Sequence, residues 1–238
     1  MAGLLLVSIG CDSAPVQVTP TVPAPAQQAA PIQQPAPVAT KPQLTKEKLR
    51  AEYGSHQNLS YLEARRHLFS SVDNVNGKVT GVYTGLEITT SKIPDPKVMN
   101  TEHSWPQSRL PEAAVSDLHH LFPAKASANM KRSNVYFGNV LMVDWQEGGS
   151  KFGDNKNRKK AFEVRPQQRG DTARAMFYIS TIYNLEIPPW EEEFLRMWHV
   201  EDPVDAREKT RNDAVERIQG NRNPFVDHPE FVAEIPDF

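Results

Sequence analysis

Residues 12–43 hold eight prolines and only two charged residues, Asp12 and Lys41. Proline fixes φ and offers no backbone N–H, so this stretch supports neither a helix interior nor a sheet ladder. With few large apolar side chains it tends to extended, solvated backbone. Any packed fold must therefore come from residues 44–238. Cys11 is the one cysteine of the chain, so no intrachain disulfide can staple that fold. A segment of this length buries enough apolar surface to fold without one.

The ten residues before Cys11, MAGLLLVSIG, are apolar and uncharged. They are too short for a membrane-spanning helix, which needs ~20 residues, and read as the core of a secretion signal. Val7-Ser8-Ile9-Gly10-Cys11 is similar to a bacterial lipoprotein processing box, in which cleavage before the cysteine frees a thiol for acylation. Ser8 departs from the Leu that is usual there. The expectation is a signal or lipoprotein segment over 1–11, a linker over 12–43, and a folded domain over 44–238. Either reading has the protein exported to the periplasm or beyond, and the lipoprotein reading adds a membrane tether through Cys11.

Within the domain, TKEKLRAEYG and SYLEARRHLFSSV have helical periodicity, with Tyr61, Ala64 and Leu68 on one face and Ser60 as a cap. VNGKVTGVYTGLEITT switches to strand composition with Gly turns. Residues 97–123 read as short strands and loops, and PAKASANMKRS as a short polar helix opening near Pro123. NVYFGNVLMVDW reads as strand or buried loop. Three helices follow over GDTARAMFYISTIYNL, PPWEEEFLRMWHV and DPVDAREKTRNDAVERIQG, the last ending at Gly220. NRNPFVDHPE is expected to pin the C-terminus through Asn221 and Asn223. The sum is a helix-rich α+β single domain with a small strand-containing insert.

Net charge is -2 at pH 7, which alone argues against a polyanion partner. The sum hides a gradient. Residues 124–174 carry eleven Lys and Arg against five Asp and Glu, and residues 188–238 carry six against thirteen. The basic middle can face a ligand. Lys151, Lys156, Arg158, Lys159 and Lys160 form a basic loop that would track a phosphate backbone, with Arg169 and Arg174 adding to it.

Glu102 and His103 are adjacent, and Asn129 follows 26 residues after His103. A carboxylate, an imidazole and an amide oxygen are the groups needed to hold one Mg²⁺ and deprotonate one water. Magnesium takes oxygen ligands and keeps several waters, so Glu102 and Asn129 suffice as protein ligands. A neutral imidazole can take a proton at neutral pH, which makes His103 the candidate base. On a regular strand Glu102 and His103 point to opposite faces, so they must lie at a strand end or bulge. Pro106 supports an early end. Arg132 and Arg109 are candidates for a bidentate contact to a scissile phosphate. Asp117, His119 and His120 read as supporting residues around the site. The Trp residues read as core.

Several segments taken together resemble the endonuclease I family of secreted bacterial nucleases, within the ββα-metal (His-Me finger) superfamily. They are LSYLEARRHLF with VYTG, TEHSWPQS, SDLHHLFPA with ANMKRSN, RGDTARAMFY, and GNRNPFVDHPE. The resemblance covers most of residues 55–228. It implies a largely helical α+β domain around a β-hairpin and helix that hold one divalent metal. It implies sequence-independent cleavage of DNA, and often RNA, to 5′-phosphate ends. By position it implies Glu102 and Asn129 as ligands of Mg²⁺ (or Mn²⁺ or Ca²⁺), His103 as general base, and Asp117–Leu121 on the second hairpin strand. Many members carry disulfides, which this chain lacks. The expected partners are DNA and RNA, met by a monomer. Two rival readings are a zinc hydrolase using His103, His119 and His120, and a noncatalytic module that binds nucleic acid at a surface.

Overall fold

Hydroxyl caps start the first two helices. α1 (Lys46–Tyr53) begins behind Thr45, whose side chain accepts from Lys48 N. α2 (Tyr61–His67) begins behind Ser60, which exchanges hydrogen bonds with Glu63 in a capping box. Ala64 and Leu68 turn inward and are fully buried. The helix then widens into a π-turn, Leu68–Val72, which carries Phe69 and Val72 into the core. This computed structural model describes residues 43–238, with Gln17 alone before them. The expected processing segment, Cys11 and nearly all of the proline-rich linker lie outside the described residues.

β1 (Asn74–Val75), β2 (Lys78–Thr80) and β3 (Glu87–Thr89) form the first antiparallel sheet. Asn76 and Gly77 join β1 to β2 with φ of 54° and 82°, as a two-residue hairpin turn requires.

β4 (Met99–His103) and β5 (Leu121–Lys125) pair antiparallel, with Glu102 opposite Phe122 and His103 opposite Leu121. α3 (Ala126–Arg132) follows β5 directly and packs on both strands. This is the ββα unit that the resemblance implied, with two corrections. The helix does not open near Pro123, which lies inside β5. The Pro123 carbonyl accepts from Val82 N, 2.9 Å away, so the missing N–H faces away from β4 and breaks no bond to it. Nor do residues 117–120 belong to the strand. The Asp117 side chain accepts from His119 N at 2.9 Å and caps a 3₁₀ turn over Leu118–His120. Such local bonding competes with a ladder, and the strand begins only at Leu121.

β6 (Met142–Glu147), β7 (Ser150–Asp154) and β8 (Lys160–Glu163) form the third sheet, a meander. α4 (Arg169–Tyr183) is buried from Thr172 to Ile182 on every side, as expected of a central helix. Gly170 lies where α4 meets the Asp202 carbonyl and the Arg174 guanidinium; a Cβ there would collide with both. α5 (Pro189–Glu201) packs along α4. α6 (Ala206–Gln219) starts behind Asp205 and ends at Gly220 with φ of 86°.

Two short helices, α7 (Pro224–Asp227) and α8 (Phe231–Glu234), return the chain to the core, where Phe238 stacks on Phe177 at 4.3 Å. Asn221 and Asn223 pin this return as expected. Asn221 donates to Tyr53 O (2.9 Å) and the Tyr178 hydroxyl (2.7 Å), and Asn223 donates to Arg174 O (3.0 Å). Eight helices and three small antiparallel sheets among the described residues make the helix-rich α+β domain. None of these helices is long and apolar enough to cross a membrane.

Candidate active site

The tension between Glu102 and His103 is resolved at a strand end. They are the last two residues of β4. Their side chains diverge into different packing yet border one cleft of about 410 Å³, together with Asn129, Arg132, Gln107 and Asn134.

Glu102 turns toward Tyr83 and Arg132 and is 2% exposed. Its Oε1 accepts from the Tyr83 hydroxyl at 2.8 Å and lies 3.0 Å from Arg132 Nη1. Its Oε2 takes no hydrogen bond from a described residue. Burial pushes the Glu102 carboxyl up, while Arg132 and the Tyr83 hydroxyl pull it back.

His103 turns the other way, between Tyr61 (centroids 5.5 Å apart) and His120 (5.4 Å). Its Nε2 lies 3.0 Å from the Val115 carbonyl. A carbonyl only accepts, so the ring proton belongs on Nε2 and Nδ1 keeps its lone pair. Burial lowers the imidazole pKa to about 4, with the Val115 carbonyl opposing and the Arg132 charge adding to the drop. The ring is therefore neutral at pH 7.

Asn129, mid-way along α3, donates from Nδ2 to Asn100 Oδ1 (2.8 Å) and to Thr101 O (3.2 Å). Both amide hydrogens are committed to the protein, so the oxygen is left for a ligand. This explains an Asn in a helix interior, where it is otherwise unfavourable. The free atoms of Glu102 and Asn129 are hard oxygens on one cleft, a donor set that fits Mg²⁺.

Arg132 is not placed to grip a phosphate. It is 1% exposed. Nη1 donates to His103 O at 2.9 Å, and Nη2 donates to Ser104 O. The guanidinium also packs 4.5 Å from the Phe137 ring centroid. Both terminal nitrogens are spent holding the end of β4 against α3. Arg109 lies at the cleft rim, partly exposed, donating to Asn134 O.

Asp117, His119 and His120 are buried and do not line the cleft. Asp117 accepts from the Tyr178 (2.8 Å) and Tyr183 (2.9 Å) hydroxyls and from Gln219 Nε2 (2.8 Å). His119 Nε2 faces Asn221 O, and His120 Nε2 faces Ala114 O. Burial lowers their pKa values to about 4 and about 3. His120 packs on His103, and its carbonyl accepts from Ser104 N at 3.0 Å. Among the described residues no three His, Cys, Asp or Glu side chains converge as a metal centre, which weighs against a zinc site built on these histidines.

The basic loop is largely internally neutralised. Lys151 pairs with Glu163, Lys156 with Glu193, and Lys160 with Asp144 and Asp154. Arg169 pairs with Glu163 and Glu201. Arg174, expected to meet nucleic acid, is instead fully buried and forks onto Glu208 at 2.7 and 2.6 Å. Its charge is consumed inside the core. Of the seven, Arg158 and Lys159 are exposed and make no ion pair among the described residues.

Three parts of the site had no signal of their own in the sequence. Tyr83 sits within VYTG, but nothing in that string aims its hydroxyl at Glu102. Asn100 orients Asn129 from across the hairpin. The Val115 carbonyl sets the His103 tautomer, and a backbone atom leaves no side-chain signature.

Residues 44–230 match the family described as Endonuclease I. An extracellular ribonuclease of Bacillus subtilis (strain 168) is 34% identical over 161 residues, 57% of this chain and 53% of that protein. An extracellular deoxyribonuclease of Aeromonas hydrophila is 32% identical over 120 residues, 47% and 48% of the two chains. Endonuclease-1 of Buchnera aphidicola subsp. Acyrthosiphon pisum (strain APS) is 33% identical over 111 residues, 47% and 44%. The aligned segments thus cover about half of each relative. With the ββα unit in place and the match running from the first helix almost to the C-terminus, this chain belongs to the endonuclease I family.

Proposed function

We propose that this chain is an exported, metal-dependent endonuclease that hydrolyses phosphodiesters of DNA and RNA without reading base sequence, leaving 5′-phosphate ends. One observation carries the reading: Glu102, Asn129 and His103 meet at one cleft. The relatives' names support its breadth and location, since one is an extracellular ribonuclease and another an extracellular deoxyribonuclease.

Glu102 and Asn129 would hold Mg²⁺, with Mn²⁺ or Ca²⁺ as substitutes of the same oxygen preference. When bound, the cation supplies charge neutralisation at the phosphoryl and leaving oxygens. Tyr83 and Arg132 fix the carboxylate, and Asn100 fixes the amide. His103 takes the proton of the attacking water at Nδ1. The Val115 carbonyl holds the ring and favours the imidazolium that forms. Arg109, at the rim, is the arginine available to a phosphate oxygen. Contacts of this kind to the backbone carry no sequence information. The tether through Cys11 would keep the domain near a membrane surface.

The test is digestion of supercoiled plasmid and of RNA by the purified chain. Cleavage of both is expected with Mg²⁺, none in EDTA, and recovery on adding Mg²⁺ or Mn²⁺. Cleavage that persists in EDTA removes Glu102 and Asn129 from their proposed roles.

A further inference from the structure

A ladder of cations and rings leaves the rim of the cleft. Arg109, in the turn whose Gln107 and Ser108 line the cleft, lays its guanidinium 4.1 Å from the Tyr136 ring centroid. Tyr136 meets Trp190 at 4.9 Å with the ring planes 72° apart. Lys159 Nζ lies 5.6 Å from the Trp190 centroid. The four residues come from four separate places in the chain: the 107–109 turn, the segment before β6, the start of α5, and the β7–β8 loop.

This arrangement does not pack as core. Trp198 and Trp105 are buried at 0% and 6% exposure, whereas Tyr136 and Trp190 are half-buried. A cation lies near each ring. The backbone that carries the rings is also held in place. Phe162 N donates to Tyr136 O at 2.9 Å, and Phe137 N donates to Glu191 Oε1 at 2.8 Å. The second bond ties the neighbour of Tyr136 to the neighbour of Trp190. A backbone ordered before a ligand arrives loses little entropy on binding. The nearby acids are accounted for: Glu191 is buried, Glu192 pairs with Arg196, and Glu193 pairs with Lys156.

We infer that Arg109, Tyr136, Trp190 and Lys159 form a stacking platform for unpaired nucleobases of the strand being cut. The proposal rests on the nuclease reading above. Every base has a π-face, so such a platform binds single strands without sequence preference, while the flanking cations take the phosphates. A paired duplex hides its base faces, so the partner is a single-stranded stretch of DNA or RNA adjoining the scissile phosphate. The platform joins the cleft through Arg109, which places the stacked bases beside the cut.

The test separates rings from charges. The full chain, held in EDTA to stop turnover, is titrated by fluorescence anisotropy with an oligothymidylate and with an abasic oligomer of equal length. Both carry the same phosphates, and only one carries bases. Trp190→Ala should weaken oligothymidylate binding roughly five- to hundred-fold, the range of one lost base–aromatic stack. It should leave abasic binding within about two-fold. Trp190→Phe should retain most of the base-dependent affinity, which excludes a folding defect as the cause. Lys159→Gln should weaken both oligomers alike and lower the salt slope by about one. Equal weakening of both oligomers by Trp190→Ala, or no weakening of either, overturns the platform. If the wild type cuts plasmid in Mg²⁺ while Trp190→Ala binds oligothymidylate unchanged, the platform alone fails. If the wild type neither cuts nor binds, the nuclease reading fails and the platform falls with it.

Discussion

Replacing Arg132 with Met should destabilise the domain by about 3 kcal/mol, toward the lower end of the ~3–5 kcal/mol range for removing one partner of a buried ion pair. The guanidinium is 1% exposed and its partner Glu102 is 2% exposed. Met keeps an apolar stem but gives up the guanidinium's contact with the Phe137 ring. Also lost are the 3.0 Å contact to Glu102 Oε1 and the bonds to the carbonyls of His103, Ser104 and Ser133. Glu102 then keeps one donor, the Tyr83 hydroxyl. The cleft admits some water to the stranded groups, which favours the lower end. The assay is urea unfolding followed by circular dichroism, in EDTA so that no bound cation stands in for the lost charge. With a slope of ~2 kcal/mol per molar urea, the midpoint should fall by about 1.5 M. Adding Glu102→Gln removes the stranded carboxylate, so the double variant should regain about 1–2 kcal/mol over Arg132→Met alone. A midpoint within about 0.3 M of wild type, or a double variant no more stable than the single, would refute the claim that this pair latches the strand end.

His103→Ala should lower the cleavage rate by roughly 10²–10⁴ while leaving strand affinity nearly intact; steady-state kinetics on a labelled oligonucleotide checks it, and plasmid digestion at the normal rate removes His103 as base. Burial raises the Glu191 carboxyl from 4.5 to about 7. Folding therefore favours its protonated form. That stabilisation is complete below pH 4.5 and is lost as pH rises to about 7, a swing on the order of 3 kcal/mol. Glu191→Gln keeps an acceptor for Phe137 N and cannot ionise. Its stability should be flatter than wild type across that window and higher at pH 8, as read from thermal midpoints against pH. Parallel curves for the wild type and the Glu191→Gln variant would show that burial of this carboxyl is not felt.

The helices were legible because their signals are local. Ser60 with Glu63, Pro189 at the start of α5 and Gly220 after α6 each act within one turn. The pairing of Glu102, His103 and Asn129 was legible for a different reason: an uncommon triplet of chemistries stands at short spacing. Arg174 was misread because a basic residue at a helix start looks the same whether it faces solvent or an acid on a distant helix. Glu208 lies 34 residues away, and no periodicity links the two. Pro123 misled for a related reason. Proline usually opens helices, but here its carbonyl is held by Val82, a pairing set by the whole sheet arrangement. Trp190 looked like core because composition cannot tell a half-buried ring with a lysine over it from a buried one.

The clamps around the cleft share one polarity. Asn129 spends its hydrogens on Asn100 and Thr101. His103 spends its ring proton on Val115. Arg132 spends its terminal nitrogens on Glu102 and the carbonyls that end β4. Donors are consumed internally, and lone pairs are what remain: Glu102 Oε2, Asn129 Oδ1 and His103 Nδ1. Three lone pairs without a donor among them would repel a phosphodiester on their own. They suit a cation at the two oxygens and a water proton at the nitrogen. This charge arrangement supports the proposed metal. Glu102 and His103 are adjacent at the last two positions of β4. The two side chains do turn to different packing, as the pleat requires, and both still border the cleft because the strand ends with them.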